Sequence, residues 1–227
     1  MMVEGVSIRA ISRMTNASKN TIVKLLADAG NACFDYQDQA LRNLNCQRIQ
    51  VDEIWSFVGS KEKNTSAAMK PKRNGDCWTW TALCPVTKLI YCWFVGDPSA
   101  ASAYHFVQDL AGRLVSRFQF ADRHNACVNA VEGGVGSEID YAMPVKIYRT
   151  TGTDGKDAEV RCSPAQCMGA RKTWISGMPE VRHVSTSQTE RQNLSMRMGM
   201  RRFTRWANAF SKTLENREPA VALYFMS

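Results

Sequence analysis

The sequence lacks several features that would assign it to common classes of protein. No stretch of about 18 apolar residues occurs in it and no signal peptide is evident, so we expect no membrane span and a cytoplasmic location. None of its eight cysteines is paired in Cys-x-x-Cys spacing, so a zinc site is not expected. The scattered cysteines are expected to be free thiols in a reducing compartment. Internal repeats and low-complexity tracts are also absent.

The composition favours a globular protein that binds a polyanion. The chain has 227 residues, of which 44% are hydrophobic, and this is enough for one sizeable domain, alone or with a small appendage. Its formal net charge of +8 makes nucleic acid the first partner to consider. Charge alone also fits a merely soluble basic protein.

Residues 4–28 predict two short helices joined by a tight turn, with Ser7 and Ser18 as their N-caps. In the second helix Ile22, Leu25 and Leu26 have the spacing of one buried face. This arrangement is typical of a helix-turn-helix, whose second helix enters the DNA major groove by its N-terminal residues. An ordinary helical hairpin has the same pattern. The predicted DNA contacts of this head are Lys19, Asn20, Thr21 and Lys24.

The remaining pattern predicts an α/β fold, in which an RNase H-like mixed sheet is flanked by helices behind the small helix-turn-helix head. Three successive antiparallel strands are expected first, and later strands and helices alternate. The predicted strands are 48–58, 77–83, 88–95, a short strand ending at 122, 141–148 and 181–185. The predicted helices are 36–44, 103–117, 125–132 and a long one from 187 to about 216, and residues 60–76 and 150–182 are predicted to be mainly loop.

Three carboxylates have positions that suit a common site. Asp52 lies within the first strand, Asp122 ends a later strand, and Glu190 begins the last helix. A carboxylate in a buried strand is costly unless its charge is compensated. Two Mg²⁺ ions held by carboxylate oxygens would compensate it, and they suit phosphodiester chemistry. Arg197, seven residues after Glu190, returns to nearly the same helix face and is a candidate phosphate contact.

Other residues are weaker candidates for the same site. Asp140 is an alternative second acid, whereas Glu53 is expected on the opposite face of its strand, in a supporting or structural role. His124 and His183 could contact DNA or be structural. A basic surface that runs along the DNA backbone is predicted on the last helix, from Asn193, Arg201, Arg202 and Arg205.

Several segments together resemble transposases of the insertion-sequence-one family of bacterial mobile elements. These segments are residues 48–57, 75–82, 139–143, 163–167, 183–187, 190–197 and 201–205, together with 18–21 in the head. The resemblance implies a DDE transposase that cleaves and transfers DNA strands with Mg²⁺, for which Mn²⁺ can substitute. Asp52, Asp122 and Glu190 match the acidic triad of the family, and Arg197 matches the basic residue seven positions after the glutamate.

The resemblance also implies the organisation and the partners of the protein. A head and linker at 1–45 would bind the terminal inverted repeats, and 46–227 would be the RNase H-like catalytic domain. Double-stranded DNA at the element ends and at the target would be the substrate. A homo-oligomer, at least a dimer, is expected because two ends must be paired, and a bacterial, nucleoid-associated location is implied.

The sequence departs from the family pattern in two places. The segment Phe120-Ala121-Asp122-Arg123 has one residue fewer before the aspartate, and Arg123 replaces a glycine that permits a tight turn. The chain stops at Ser227 where relatives continue, so a truncated C-terminus is expected. Two further hypotheses therefore stay open: a DNA-binding regulator that has lost catalysis, and a metal-dependent nuclease that cleaves without joining.

Overall fold

A six-stranded mixed sheet forms the centre of the protein. This computed structural model describes residues 1–65, 74–123, 126–135, 139–148, 167–204 and 209–227. Its strands are β1 (Arg48–Val58), β2 (Gly75–Leu83), β3 (Ile90–Gly96), β4 (Gln119–Ala121), β5 (Asp140–Tyr148) and β6 (Cys167–Ser176). The order across the sheet is β3-β2-β1-β4-β5-β6. Strands β1, β4 and β5 run parallel, and the pairs β1–β2, β2–β3 and β5–β6 are antiparallel.

Helices cover both faces of this sheet. The α-helices of the described ranges are α1 (Ile8–Thr15), α2 (Lys19–Ala40), α3 (Ala100–Arg113), α4 (Ala126–Gly134), α5 (Ser187–Gly199) and α6 (Glu218–Phe225). The fold is therefore α/β, and its element order is compatible with an RNase H-like arrangement. The predicted meander of three antiparallel strands is confirmed.

Alternation along β1 distributes its side chains between two cores. Ile49 and Val51 belong to the larger core, which lies under α3 and α4 and includes Phe106 and Cys127. Ile54 belongs to a second core on the other face, together with residues of α2, α5 and α6. Successive side chains of a strand point to opposite faces, so neighbouring residues of β1 reach different helices.

The predicted N-caps of the head are confirmed. The Ser7 hydroxyl accepts a hydrogen bond from the Ala10 amide, and the Ser18 hydroxyl accepts one from the Thr21 amide. Asn16 ends α1 in the left-handed conformation, with φ of 56°. The prediction that Leu25 is buried is wrong, since this side chain is 55% exposed.

The second helix is longer than predicted and continues into the body of the protein. It runs unbroken to Ala40, where the sequence pattern predicted a separate helix over residues 36–44. Leu26 enters the core formed with α5 and α6, and Gly30 lies directly against Pro219 of α6. Helix α2 is therefore anchored on the same face of the sheet as α5.

The C-terminal half differs from the predicted elements. The long helix predicted to reach about residue 216 ends at Gly199, where glycine is a poor helix former and Met200 turns to extended backbone. The predicted strand at 181–185 is a short 3₁₀ turn over Val181–His183. Within the segment predicted as loop over 150–182, Cys167–Ser176 instead forms the edge strand β6.

Parts of the two predicted loops lie outside the described residues, namely 150–166 of the second loop and 66–73 of the first. Within the described ranges no helix combines the length and the apolar character needed to cross a membrane.

Candidate active site

Asp52 lies on the face of β1 that α5 covers. Its carboxylate accepts a hydrogen bond from Nδ2 of Asn193 at 3.0 Å, and only 8% of the residue is exposed. Two positions earlier on the same face, the Gln50 side chain accepts a hydrogen bond from the Gln188 amide at 2.9 Å. These two contacts fix the start and the middle of α5 over β1.

Glu190 reaches the same region from the first turn of α5. Its carboxylate accepts a hydrogen bond from the Thr186 hydroxyl at 2.9 Å and forms an ion pair with Lys146 of β5 at 2.5 Å. The structure thus brings together two of the three predicted acids, although they are far apart in the sequence.

Arg123 links these two carboxylates. Its Nη2 atom is 3.3 Å from Oδ1 of Asp52, and its Nη1 atom is 3.2 Å from Oε1 of Glu190. The guanidinium therefore lies between the two acids, where the sequence predicted a metal ion. It neutralises part of the charge that would otherwise make burial of Asp52 unfavourable.

The electrostatic surroundings affect the two acids in opposite ways. Burial raises the pKa of Asp52, and the charge and hydrogen bond of Arg123 offset only part of this effect. For Glu190, burial also acts to raise the pKa, but hydrogen bonds from Lys146 and Thr186 and the charge of Arg123 outweigh it, so its pKa is lowered. Glu190 is consequently a carboxylate at neutral pH, ready to bind a cation.

Asp122 points away from Asp52. It is completely buried, and its carboxylate lies within 4.8 Å of ligand atoms of Glu53 and Cys127, on the face covered by α3 and α4. The parallel pairing of Ile49 with Phe120 explains this placement, since residues 120 and 122 share one face and that face belongs to the larger core. The predicted opposite orientation of Glu53 relative to Asp52 agrees with this arrangement.

The oxygen atoms around Asp52 nevertheless suit a magnesium ion. Asn193 is 8% exposed, and its Oδ1 atom is buried without a hydrogen-bond partner among the described residues. Together with the carboxylates of Asp52 and Glu190 it offers the hard oxygen ligands that Mg²⁺ prefers. A cation could bind here only if the Arg123 guanidinium moved aside.

The predicted basic residues of the last helix have mixed surroundings. Arg197 donates to the Phe203 carbonyl at 3.1 Å, and Arg202 donates to the Ser211 hydroxyl at 2.7 Å. These contacts hold the chain after α5. Arg201 is exposed, whereas Arg205 lies outside the described residues.

The remaining weaker candidates do not join Asp52. The alternative acid Asp140 is at the start of β5 and pairs with Arg117 at 2.5 Å. His183 lies 3.3 Å from a carboxylate oxygen of Glu180, in the 3₁₀ turn before α5. His124 lies outside the part of the chain that the structure describes.

The head presents its predicted DNA contacts to solvent. Lys19, Asn20, Thr21 and Lys24 are all exposed, although the Thr21 hydroxyl also hydrogen-bonds the Ser18 hydroxyl. Lys19 lines a groove of 740 Å³ between the head and the C-terminal segment. The cationic residues that line this groove are Arg9, Lys19, Arg201, Arg202 and Lys212.

Two cations of the site, Arg123 and Lys146, are not predicted by the sequence patterns. Alternation in β5 could have placed Lys146 on the same face as Ala142, but it could not show that this face meets α5. Arg123 required the pairing of β4 with β1, which no periodicity in a three-residue strand reveals.

Comparison with known proteins adds no family assignment. No protein-family model matches the sequence, and no curated protein is significantly similar to it.

Proposed function

We propose that the protein is a DNA transposase of the insertion-sequence-one kind, with an RNase H-like catalytic sheet and a helix-turn-helix head. The observation that carries this proposal is the meeting of Asp52 and Glu190 beside Asn193, on one face of the mixed sheet. Carboxylates that meet on one face can hold the metal ions of two-metal phosphodiester chemistry.

Asp52 and Glu190, with Oδ1 of Asn193, would hold Mg²⁺ or Mn²⁺. The ion would supply Lewis-acid activation of the attacking oxygen and charge stabilisation at the phosphate. Asn193 orients Asp52 through Nδ2, and Thr186 orients Glu190 through its hydroxyl. Lys146 keeps Glu190 ionised by lowering its pKa. Asp122 is the third acid of the proposed triad, and it would have to turn toward the Asp52 face to take part.

DNA binding is supported by the charge and by the exposed residues of the head. The net charge is +8, and five cationic residues, Lys19 among them, line the groove between the head and the C-terminal segment. Contacts from lysine to phosphates give binding that weakens as salt concentration rises. The proposed partners are the element ends and the target DNA, bound by at least a dimer.

The experiment is a cleavage and strand-transfer assay with and without Mg²⁺, on a duplex that ends in the inverted repeats flanking the gene. We expect nicking and joining by the natural chain, and loss of both in Asp52→Asn and Glu190→Gln. Glu132→Gln, an exposed acid of α4, is the control and should keep activity. Equal cleavage by the Asp52→Asn protein would refute the proposal, and cleavage without joining would indicate a nuclease.

A second candidate is a DNA-binding regulator without catalysis. It is favoured by the Arg123 guanidinium between Asp52 and Glu190 and by the orientation of Asp122 toward the larger core. This candidate predicts salt-dependent binding of the terminal-repeat duplex with no nicking at any Mg²⁺ concentration. Replacing Lys19 and Lys24 by alanine should then lower both the affinity and its dependence on salt.

A further inference from the structure

We infer that Glu53, Asp122 and Cys127 form a binding site for a divalent transition-metal ion of the zinc class, on the opposite face of the sheet from Asp52. One potential ligand atom of each residue lies within 4.8 Å of the other two. The three residues come from β1, from the end of β4 and from α4, so the site would tie three elements together.

Tyr141 provides an independent indication of a ligand. It is completely buried in β5, and its phenolic oxygen has no hydrogen-bond partner within the described ranges. Burial raises the pKa of Tyr141, and the nearby charge of Asp122 raises it further. One carboxylate oxygen of Glu53, Oε1, is likewise buried without a partner among those residues. Buried polar groups without partners are rare unless water or an ion completes them.

The ligand atoms indicate which ion fits. A thiolate is a soft ligand that selects zinc over magnesium, and aspartate and glutamate oxygens also occur in zinc sites. Without a metal, burial and the charge of Asp122 raise the pKa of the Cys127 thiol, so this thiol stays protonated. Coordination would replace the protons of Cys127 and Glu53, which pass to solvent.

The sequence predicted no zinc site because its cysteines are unpaired, and the described cysteines are indeed free thiols. The inferred site uses one cysteine with two carboxylates, a set that Cys-x-x-Cys spacing cannot reveal. Testing for this metal site needs neither DNA nor transposase activity, and Asp122 cannot serve this site and the proposed triad at the same time.

The first experiment measures metal retained by the full chain after exposure to Zn²⁺ and removal of free metal. We expect about one zinc ion per chain, held by Glu53, Asp122 and Cys127. Replacement with Co²⁺ should give the charge-transfer absorption of a cobalt–thiolate bond. If the natural chain retains no zinc, the inference is overturned. Bound protons alone would then neutralise the acidic groups of the cluster.

Variants locate the ion. Cys127→Ser should remove the cobalt–thiolate absorption, and Asp122→Asn should lose retained zinc. Tyr141→Phe removes the buried phenol that would donate to a ligand of the bound ion, and it should weaken zinc binding roughly 10- to 100-fold. The matched control is Cys92→Ala, which removes another buried thiol outside the cluster and should leave zinc binding unchanged. Full zinc retention and unchanged cobalt absorption in Cys127→Ser would overturn the inference, with circular dichroism confirming that each variant is folded.

Discussion

Arg123 stands beside Asp52 on one face of the sheet, with 3.3 Å between its Nη2 atom and Oδ1 of the aspartate. The parallel pairing of Gln50 with Ala121 explains this position. Extended by two residues, the same register matches Asp52 with Arg123, and by one residue it matches Val51 with Asp122. The pairing of β4 with β1 therefore places a cation, Arg123, beside the two acids.

The Arg123→Ala substitution is expected to strengthen Mn²⁺ binding at Asp52 and Glu190 by about tenfold or more, equivalent to about 1.4 kcal/mol. The guanidinium competes with the metal ion for the carboxylates of Asp52 and Glu190. Without it, both carboxylates are free to bind the ion. Calorimetric titration with Mn²⁺ near neutral pH measures the change. Arg117→Ala, which breaks a different arginine–aspartate pair, is the control. Unchanged or weaker Mn²⁺ binding in Arg123→Ala would contradict this role of the guanidinium.

Insertion of one threonine after Ala121 is expected to bring Asp122 to the face of Asp52. Strand pairing ends at Ala121, so the insertion leaves the β1–β4 register intact and reverses the orientation of the next residues along the chain. We expect the inserted variant to nick DNA faster than the natural chain in Mg²⁺, and we expect this increase to disappear when Asp122 is also changed to asparagine. If Asp122→Asn has the same effect with and without the insertion, the orientation of Asp122 is not what limits activity.

The Glu53→Gln substitution is expected to stabilise the metal-free protein more at pH 8 than at pH 5. Burial, with the negative charges of Asp122 and Asp52, raises the pKa of Glu53 from 4.5 to about 9. Between these values the folded state holds a proton that the unfolded state has lost, so the stability contributed by Glu53 is full below 4.5 and falls as pH rises toward 9. Glutamine does not titrate, and its advantage should grow by about 1 kcal/mol or more across that range. Urea unfolding of both proteins at the two pH values, with a chelator present, tests this, and a pH-independent difference would count against it.

The Gly30→Ala substitution is expected to destabilise the protein by about 1–3 kcal/mol. A Cβ at residue 30 would lie 2.2 Å from the Pro219 carbonyl oxygen, so α2 and α6 would have to separate. Gly112→Ala in α3 is the matched control, because its Cβ would meet only Arg42, at 3.7 Å. The control should gain about 0.5–1 kcal/mol from helix propensity. Chemical unfolding of both variants measures the difference, and equal stability would mean that α2 does not pack closely on α6.

Local patterns were enough to predict much of the fold. Ser7 and Ser18 cap their helices as predicted because a hydroxyl before a helix satisfies amides that lie within three residues of it. The opposite orientations of Asp52 and Glu53 could be predicted from strand alternation. The end of α5 at Gly199 could not be predicted from the spacing of the apolar residues, since Met200 and Phe203 stay buried after the helix has stopped.

Short-range periodicity is enough to predict that Asp52 lies in a buried strand and that Glu190 begins a later helix. The central place of that strand, and the neighbour that Asp52 receives from the end of β4, depend on pairing between distant segments of the chain. The tertiary structure placed Arg123 beside Asp52 and gathered Asp122, Glu53 and Cys127 on the other face. A shift of the β1–β4 register by one residue would exchange the faces of Arg123 and Asp122, since side chains in a strand alternate with a period of two.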